Sequence, residues 1–455
     1  MAEEDRRPGL VDRALRPFAD VRAGEGASTL LLALTIFFLM VSYYVIKVVR
    51  EPWILTLPNG AELKAYAAAV QAGLLMFYVP TFTWFAARFP SRRLVFFVVG
   101  FFLACIQVFW LLSRGSMPWV GFVFFVWVGI FSVSVIALFW SFANDAFAGE
   151  KGERLFPIVT VGMTAGPVVG SKLADFLVDG GYVGVYDMLQ VAAGLLLVHG
   201  LLYAVLVRRP DIQLDENDDD EGVSAFARAF RGFRLVYDNG YIRWIALLLI
   251  LLNLVNTTGE YILGVYAKEQ AAEALAAAGS VADPDEFTSD FIGSFYADFF
   301  FWVNVAAVSA QALVASRLVK YFGIAGVLLP LPIIALGNYA LVAFGAGYVI
   351  FRWMKTSENA ADYSLMNNAK AMLWLPTTRD EKYSAKQAVD TFFVRLGDVL
   401  SAGAVFLGTE VWSFGKVGFA YVNGAVVLVW LGVAWVLVRA YRARAPREPD
   451  GDAEV

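Results

Sequence analysis

The segment KTSENAADYSLMNNAK, residues 355–370, places many charged and amide side chains next to strongly apolar sequence. A charged side chain at the centre of a lipid-facing helix costs about 2.5–3.5 kcal/mol, so such residues usually face protein or water and mark functional positions. At about 100° per residue, the charged positions share a helix face roughly 120° wide. We therefore predict that this face borders a wet interior and binds substrate through Lys355, Glu358, Asn359, Asp362 and Lys370.

Four other stretches carry polar side chains at helical spacing, namely YYVIKVVRE, SFAND, NLVNTTGE and the run that contains RLGD. They add the candidate substrate-binding residues Lys47, Arg50, Glu51, Asn144, Asn256, Glu260, Arg395 and Asp398. The cations among them suit phosphate or carboxylate groups, so the set predicts a polar, anionic solute. In the alternative interpretation, Lys47–Glu51 and Lys355–Glu358 are ion pairs that hold helices in register, and Arg395–Asp398 locks its helix to a neighbour.

Apolar runs of about 20 residues, the length that spans a bilayer, recur along the chain. The chain is 59% hydrophobic and 17% charged, with a mean hydropathy of +0.61. Lysine and arginine are concentrated in alternate loops, which predicts that both termini lie in the cytoplasm. The twelve predicted spans are 27–49, 64–87, 93–113, 118–145, 155–178, 185–207, 241–267, 289–316, 324–345, 347–370, 387–411 and 416–440.

An acidic stretch in the middle of the chain, RRPDIQLDENDDDEG, divides these spans six and six. It has almost nothing to bury, so we predict a flexible linker there, followed by a helix that lies on the membrane surface. Two six-helix repeats are the architecture of many secondary transporters. The predicted domains are a cytoplasmic segment 1–26, a bundle 27–207, the linker and surface helix 208–240, a bundle 241–440 and a cytoplasmic tail 441–455.

Glycine recurs every fourth residue in GMTAGPVVG, at Gly162, Gly166 and Gly170. This spacing predicts close packing against a neighbouring helix, because the full phosphate-binding loop pattern is absent. One cysteine and one histidine exclude an internal disulfide and a His-rich metal site. No nucleophile–base pair stands out, so we predict a non-enzyme without metal or cofactor.

Several longer stretches together resemble the ATP/ADP translocase family of nucleotide transporters. They are YYVIKVVREPWILT followed by GAEL, LFWSFANDAFAGEKGERLFPI, YIRWIALLLILLNLVNTTGE, and YSLMNNAKAMLWLP with KQAVD and RLG. The resemblance covers most of residues 27–440. It implies an all-α integral membrane protein with an MFS-like fold of twelve transmembrane helices, nucleotide exchange, and a multi-pass location in a bacterial inner membrane.

The family's charged positions carry over only in part. Arg50 matches the family's first-helix lysine, and Glu260 matches a family glutamate. Val128 and Ala371 stand where the family has acids, and Asp398 stands where it has a lysine. The resemblance therefore implies a divergent member and leaves its substrate open.

We predict a secondary active transporter for a nucleotide or another phosphorylated or anionic metabolite, working by alternating access. Its partners would be that small molecule and membrane lipids, with no nucleic acid, and the protein would be a monomer. One alternative is a proton-coupled MFS-type transporter of an unrelated polar solute that uses Glu260, Asp298, Glu358 or Asp362. An alternative of another class is a non-transporting membrane scaffold or sensor.

Overall fold

The computed structural model describes residues 9–86, 88–89, 91–115, 117–147, 149–212, 233–378 and 381–444. Most of the predicted linker and surface helix at 208–240 lies outside these ranges, as do parts of the two predicted tails. All regular structure in the described ranges is helical, in agreement with the predicted all-α class.

The first half of the chain forms seven described helices. They are α1 (Leu10–Leu15), α2 (Gly26–Leu55), α3 (Gly60–Ala86), α4 (Ser91–Leu112), α5 (Trp119–Ala146), α6 (Glu150–Asp179) and α7 (Met188–Leu206). The second half gives α8 (Gly240–Ala278), α9 (Pro284–Ala310), α10 (Ser316–Phe322), α11 (Ile324–Leu328), α12 (Pro330–Ala343), α13 (Tyr348–Ala361), α14 (Asn367–Leu373), α15 (Lys386–Ala388), α16 (Val394–Phe406) and α17 (Lys416–Arg444).

Among the described residues of the second half, five π-helical turns interrupt or extend the helices. They are Gln311–Ala315, Asp362–Met366, Glu381–Ala385, Val389–Phe393 and Leu407–Val411. A π turn adds a residue to a helix turn and so shifts every later side chain around the axis. Residues that follow such a turn at regular helical spacing therefore no longer lie on the face that precedes it.

Ten helices of the described residues are long and apolar enough to cross a membrane. The two predicted spans outside this set are 155–178, which lies in α6, and 347–370, which covers most of α13 and α14. Glycine, proline and threonine dilute the apolar surface of α6, and charged and amide side chains do so in α13. These same two helices carry the glycine repeat and the polar face identified in the sequence.

The chain divides into two compact units, each of which draws on both halves of the sequence. Unit 1 comprises the described residues of Met1–Gly60, Tyr78–Gly222 and Ala267–Asn304. Unit 2 comprises those of Ala61–Phe77, Val223–Tyr266 and Val305–Val455. The predicted domain boundaries at 27–207 and 241–440 stay a prediction.

In unit 1, α6 packs its glycine face directly on the backbone of α2. A Cβ atom added at Gly166 would lie 2.5 Å from Met40 Cβ, and one added at Gly170 would lie 2.8 Å from the carbonyl oxygen of Val41. Gly162 meets the Ala33 carbonyl in the same way. The prediction that this repeat serves helix packing is confirmed.

In unit 2, both small and polar residues bring other helices onto α8. A Cβ atom at Gly397 of α16 would lie 2.6 Å from the carbonyl oxygen of Ile250. Thr258 of α8 and Ser401 of α16 share a hydrogen bond of 2.9 Å, and Asn423 of α17 donates to the Val255 carbonyl at 3.4 Å. The polar face of α13 packs against this same helix.

Candidate functional site

The most deeply buried charges of unit 2 are Lys355 and Glu358 on α13. Their side chains are 0% and 4% exposed, and Nζ of Lys355 donates to Oε1 of Glu358 at 2.8 Å. The same ammonium donates to Oδ1 of Asn256 on α8 at 2.8 Å and points toward the Asn256 carbonyl at 3.4 Å. An enclosed ammonium needs such acceptors, because an unpaired buried charge is strongly destabilising.

Two neighbours complete the surroundings of this pair. Asn338 of α12 donates its amide N–H to Oε2 of Glu358 at 3.2 Å, so both carboxylate oxygens accept a hydrogen bond. A Cβ atom at Gly259 would lie 2.9 Å from Nζ of Lys355 and would also meet the hydroxyl of Tyr339. Glycine at this position therefore leaves the space that the lysine side chain occupies.

A second ion pair of unit 2 joins α3 to α8. Lys64 Nζ lies 3.4 Å from Oε2 of Glu260, and Asn359 of α13 donates to Oε1 of Glu260 at 3.0 Å. The Lys64 side chain is 7% exposed and that of Glu260 is 22% exposed. Beside them, the hydroxyl of Tyr261 donates to Oε1 of Glu62 at 3.3 Å.

Asp398 and Arg395 form a third polar group of unit 2, on α16. Thr257 of α8 donates to Oδ1 of Asp398 at 2.7 Å. Arg395 lies 3.6 Å from the other carboxylate oxygen of Asp398. Asp398 therefore contacts a hydroxyl and a guanidinium within its own unit. At the position of Asp398, the family that the sequence resembles has a lysine.

The polar face of α13 does not continue unchanged to Lys370. The π turn Asp362–Met366 shifts the register, and Lys370 pairs instead with Asp362 at 3.4 Å. The expectation that the whole face meets water is wrong for Lys355, Glu358 and Asn359, which are buried in protein. The charges of Lys355 and Glu358 neutralise each other, which permits a charged face to be dry.

In unit 1, Lys47, Arg50 and Glu51 lie near the C-terminal end of α2. Arg50 donates through Nε to Oε1 of Glu51 at 3.0 Å and also through Nη2, and its guanidinium lies 4.3 Å from the ring centre of Phe125. Lys47 Nζ lies 4.1 Å from the ring centre of Phe300. The group therefore combines cations with aromatic faces, the chemistry that suits a phosphate attached to a ring.

The predicted site residues thus fall into separate clusters, and one stands apart. Asn144 is exposed near the end of α5. Sequence reasoning missed Lys64 and Asn338, although a lysine at the start of an apolar run and a single amide in ALGNYAL were visible signals. In the residues that the structure describes, no group of three or more acids, cysteines or histidines is arranged to hold a metal ion.

The helical architecture is that of MFS-type transporters. The crystal structure of the nucleoside transporter NupG matches with a TM-score of 0.64 at 12% identity, over 92% of this chain and 100% of that chain. The POT family transporter PepTSo matches with a TM-score of 0.61 at 11% identity, over 92% and 99%. These likenesses establish the fold, and the MFS-like class predicted from the sequence is confirmed.

No protein-family model matches the chain, but individual proteins are similar to it in sequence. ADP,ATP carrier protein 2, chloroplastic, of Arabidopsis thaliana is 22% identical over 338 residues, which cover 67% of this chain and 51% of the relative. The plastidic ATP/ADP-transporter of Solanum tuberosum is 23% identical over 341 residues, with 67% and 50% covered. The chain spans about half the length of these relatives. The chain is similar to the plastidic ATP/ADP carriers at low identity, which confirms the resemblance.

Proposed function

We propose that this protein is a secondary active transporter that exchanges nucleotides, or closely related phosphorylated anions, by alternating access. The observation that carries the proposal is the similarity to ATP/ADP carriers over two thirds of the chain. The fold, which is shared with MFS-type transporters, supports the same conclusion. A bacterial inner membrane, cytoplasmic termini, contact with lipids and a monomeric state complete the proposal.

The unit 1 cluster supplies a chemical basis for nucleotide binding. The Arg50 side chain is 14% exposed, so its guanidinium is nearly desolvated but reachable. A planar guanidinium binds phosphate oxygens in pairs, and this one already lies against an aromatic ring. We infer that Arg50 binds a phosphate and that Lys47 contributes a second positive charge.

Exchange can be tested with the purified full chain in liposomes loaded with unlabelled nucleotide. We expect uptake of labelled ATP or ADP that requires internal nucleotide and no ATP hydrolysis, because gradients alone drive a secondary transporter. Competition by phosphorylated compounds, and none by sugars, would support the proposal. Uptake of a neutral solute driven by a pH gradient, without any effect of nucleotides, would contradict it and favour proton coupling.

The role of Arg50 can be tested with Arg50→Gln and Arg50→Lys. We expect Arg50→Gln to raise the half-saturating nucleotide concentration about 10- to 100-fold, because a hydrogen bond to a charged group is worth roughly 1.5–3 kcal/mol. Arg50→Lys keeps the positive charge, so its half-saturating nucleotide concentration should lie between those of the original protein and Arg50→Gln. Both variants must first show a folded population by thermal unfolding, since Glu51 loses a partner in Arg50→Gln.

A matched control is Arg88→Gln. Arg88 also stacks on an aromatic ring, with its guanidinium 3.4 Å from the ring centre of Trp84, but it is exposed between α3 and α4. We expect unchanged exchange in this variant. Equal losses in Arg50→Gln and Arg88→Gln would show that general charge, rather than a site at Arg50, controls uptake.

A further inference from the structure

Two lysines of unit 2 are buried in different ways. Lys355 is 0% exposed and donates at 2.8 Å to both Asn256 and Glu358. Lys64 meets its carboxylate at 3.4 Å, the longer of the two contacts. A longer charged contact is a weaker one, so the pair of Lys64 with Glu260 is easier to open than the pair on α13.

Glu260 is the more exposed member of this ion pair. Its side chain is 22% exposed, against 7% for Lys64. An anion that replaces the Oε2 atom of Glu260 on Lys64 takes over this charged contact. The ammonium of Lys64 is a compact point charge, a type of group that proteins use to bind phosphate.

Asn359 makes such a replacement feasible. It donates to Oε1 of Glu260, whereas Lys64 contacts Oε2. When a ligand takes the place of Oε2 on Lys64, Glu260 can keep the hydrogen bond from Asn359. The buried ammonium is then never left without a negative partner, which would otherwise be costly.

We propose that Lys64 is a second phosphate-binding residue of this protein, and that the phosphate of the ligand binds it in exchange for Glu260. The inference rests on the proposed function and concerns a lysine at the beginning of α3. The ligand class is a compound with a phosphate chain, and affinity should rise with the number of phosphates. Because Lys64 and Glu260 join α3 to α8, the exchange also loosens that connection.

The test measures the binding of adenosine and its mono-, di- and triphosphate to the purified full chain by titration calorimetry. In Lys64→Gln we expect the affinity for the triphosphate to fall about 10- to 100-fold, with a smaller fall for the monophosphate and none for adenosine. Glu260→Gln should act in the opposite direction, with tighter binding of the di- and triphosphate. Gln at position 260 can still accept the hydrogen bond from Asn359.

The control is Lys172→Gln, which removes a lysine that is 55% exposed and paired with Asp175 at 2.7 Å. It should bind the whole series as the original protein does. Folding of each variant is checked by thermal unfolding, and Lys64→Arg serves as a charge-preserving variant that should retain the preference for longer phosphate chains.

The outcomes separate the inference from the function on which it rests. A folded Lys64→Gln that binds the whole series normally would overturn the role of Lys64 and leave nucleotide transport standing. If Lys64→Gln does not fold, Glu260→Gln decides, because unchanged or weaker binding of the triphosphate there also overturns the exchange. If the unaltered protein binds no phosphorylated compound, both the proposed function and the inference fail.

Discussion

Helices pack together by different means in the two units. In unit 1, α6 meets α2 through glycines, so that added Cβ atoms would collide with backbone and with Met40. In unit 2, α13 meets α8 through Lys355, Asn256, Glu260 and Asn359, which form ion pairs and amide hydrogen bonds. The first contact sets how closely two helices approach, and the second sets which residues face each other.

The role of a charged residue in an apolar helix therefore depends on its surroundings. A charge that is enclosed and paired inside one unit, like Lys355, holds two helices in register. Arg50 is also paired, with Glu51, but its side chain keeps 14% exposure beside the ring of Phe125, and we propose that it binds a ligand. The presence of a charge alone therefore does not assign a predicted site residue to a structural or to a ligand-binding role.

The largest expected effect comes from breaking the buried pair of unit 2. Lys355→Met leaves the carboxylate of Glu358 buried without its cation, and we expect a loss of about 3–5 kcal/mol in the free energy of unfolding. The double variant Lys355→Met with Glu358→Leu should recover much of that loss. Denaturant unfolding in detergent of both single variants and the double variant measures the coupling.

A matched control exists in unit 1. Lys172 and Asp175 are also a lysine and an acid three residues apart on one helix, but this lysine is 55% exposed. Lys172→Met should cost at most about 1 kcal/mol, because solvent screens exposed ion pairs. Equal losses in Lys172→Met and Lys355→Met would contradict the structural role assigned to the buried pair.

The helix positions and the all-α class could be predicted from the sequence, because apolar runs long enough to span a bilayer are a strong signal. The glycine repeat at 162–170 also predicted its own packing role, since a spacing of four residues puts the glycines on one helix face. Both inferences depend on properties that are local in the chain.

The pairing of the polar side chains was predicted less completely, because it depends on contacts between distant segments. Lys355, Glu358 and Asn359 do share one face of α13, but periodicity alone does not distinguish a face that meets water from one that meets Asn256 and Asn338. The π turn Asp362–Met366 also broke the regular spacing that linked Lys370 to Lys355. Lys64 was missed because its partner Glu260 lies far along the chain.

A smaller effect is expected from filling the glycine contact of unit 1. In Gly166→Ala the new Cβ atom would lie 2.5 Å from Met40 Cβ and 2.9 Å from the Phe37 carbonyl oxygen. We expect a loss of roughly 1–3 kcal/mol in the free energy of unfolding, the usual cost of overpacking. Denaturant unfolding in detergent measures it.

The control for this substitution is Gly194→Ala on α7. No atom lies within 4 Å of a Cβ atom at Gly194, so the extra methyl group meets open space. Alanine favours a helix over glycine by about 1 kcal/mol, and this variant should be as stable as the original or slightly more so. A stable Gly166→Ala would show that α2 and α6 can separate without cost.

The smallest effect concerns a carboxylate that backbone groups, rather than a lysine, stabilise. Asp12 is buried and accepts hydrogen bonds from the N–H groups of Gly9, Gly24 and Gly26 at 2.7, 3.0 and 2.8 Å. Burial alone would raise its pKa, but these N–H groups outweigh burial and hold the pKa below its ordinary value. Asp12 therefore contributes stability above the unfolded pKa of about 3.9, and this is lost as pH falls through the lower folded pKa.

Asp12→Asn should weaken the attachment of residues 9–26 by about 0.5–2 kcal/mol at neutral pH, the range for removal of a helix-capping carboxylate. Hydrogen exchange of these residues between pH 7 and acid measures it, and protection in the variant should change less with pH. Part of the pH dependence should remain, because burial raises the pKa of Glu25 but hydrogen bonds from Arg154 and Arg22 lower it below its ordinary value. The exposed Asp20, changed to Asn, should leave both protection and its pH dependence as they are. If Asp12→Asn keeps the full pH dependence, the backbone N–H groups do not stabilise this carboxylate in the way that Lys355 stabilises Glu358.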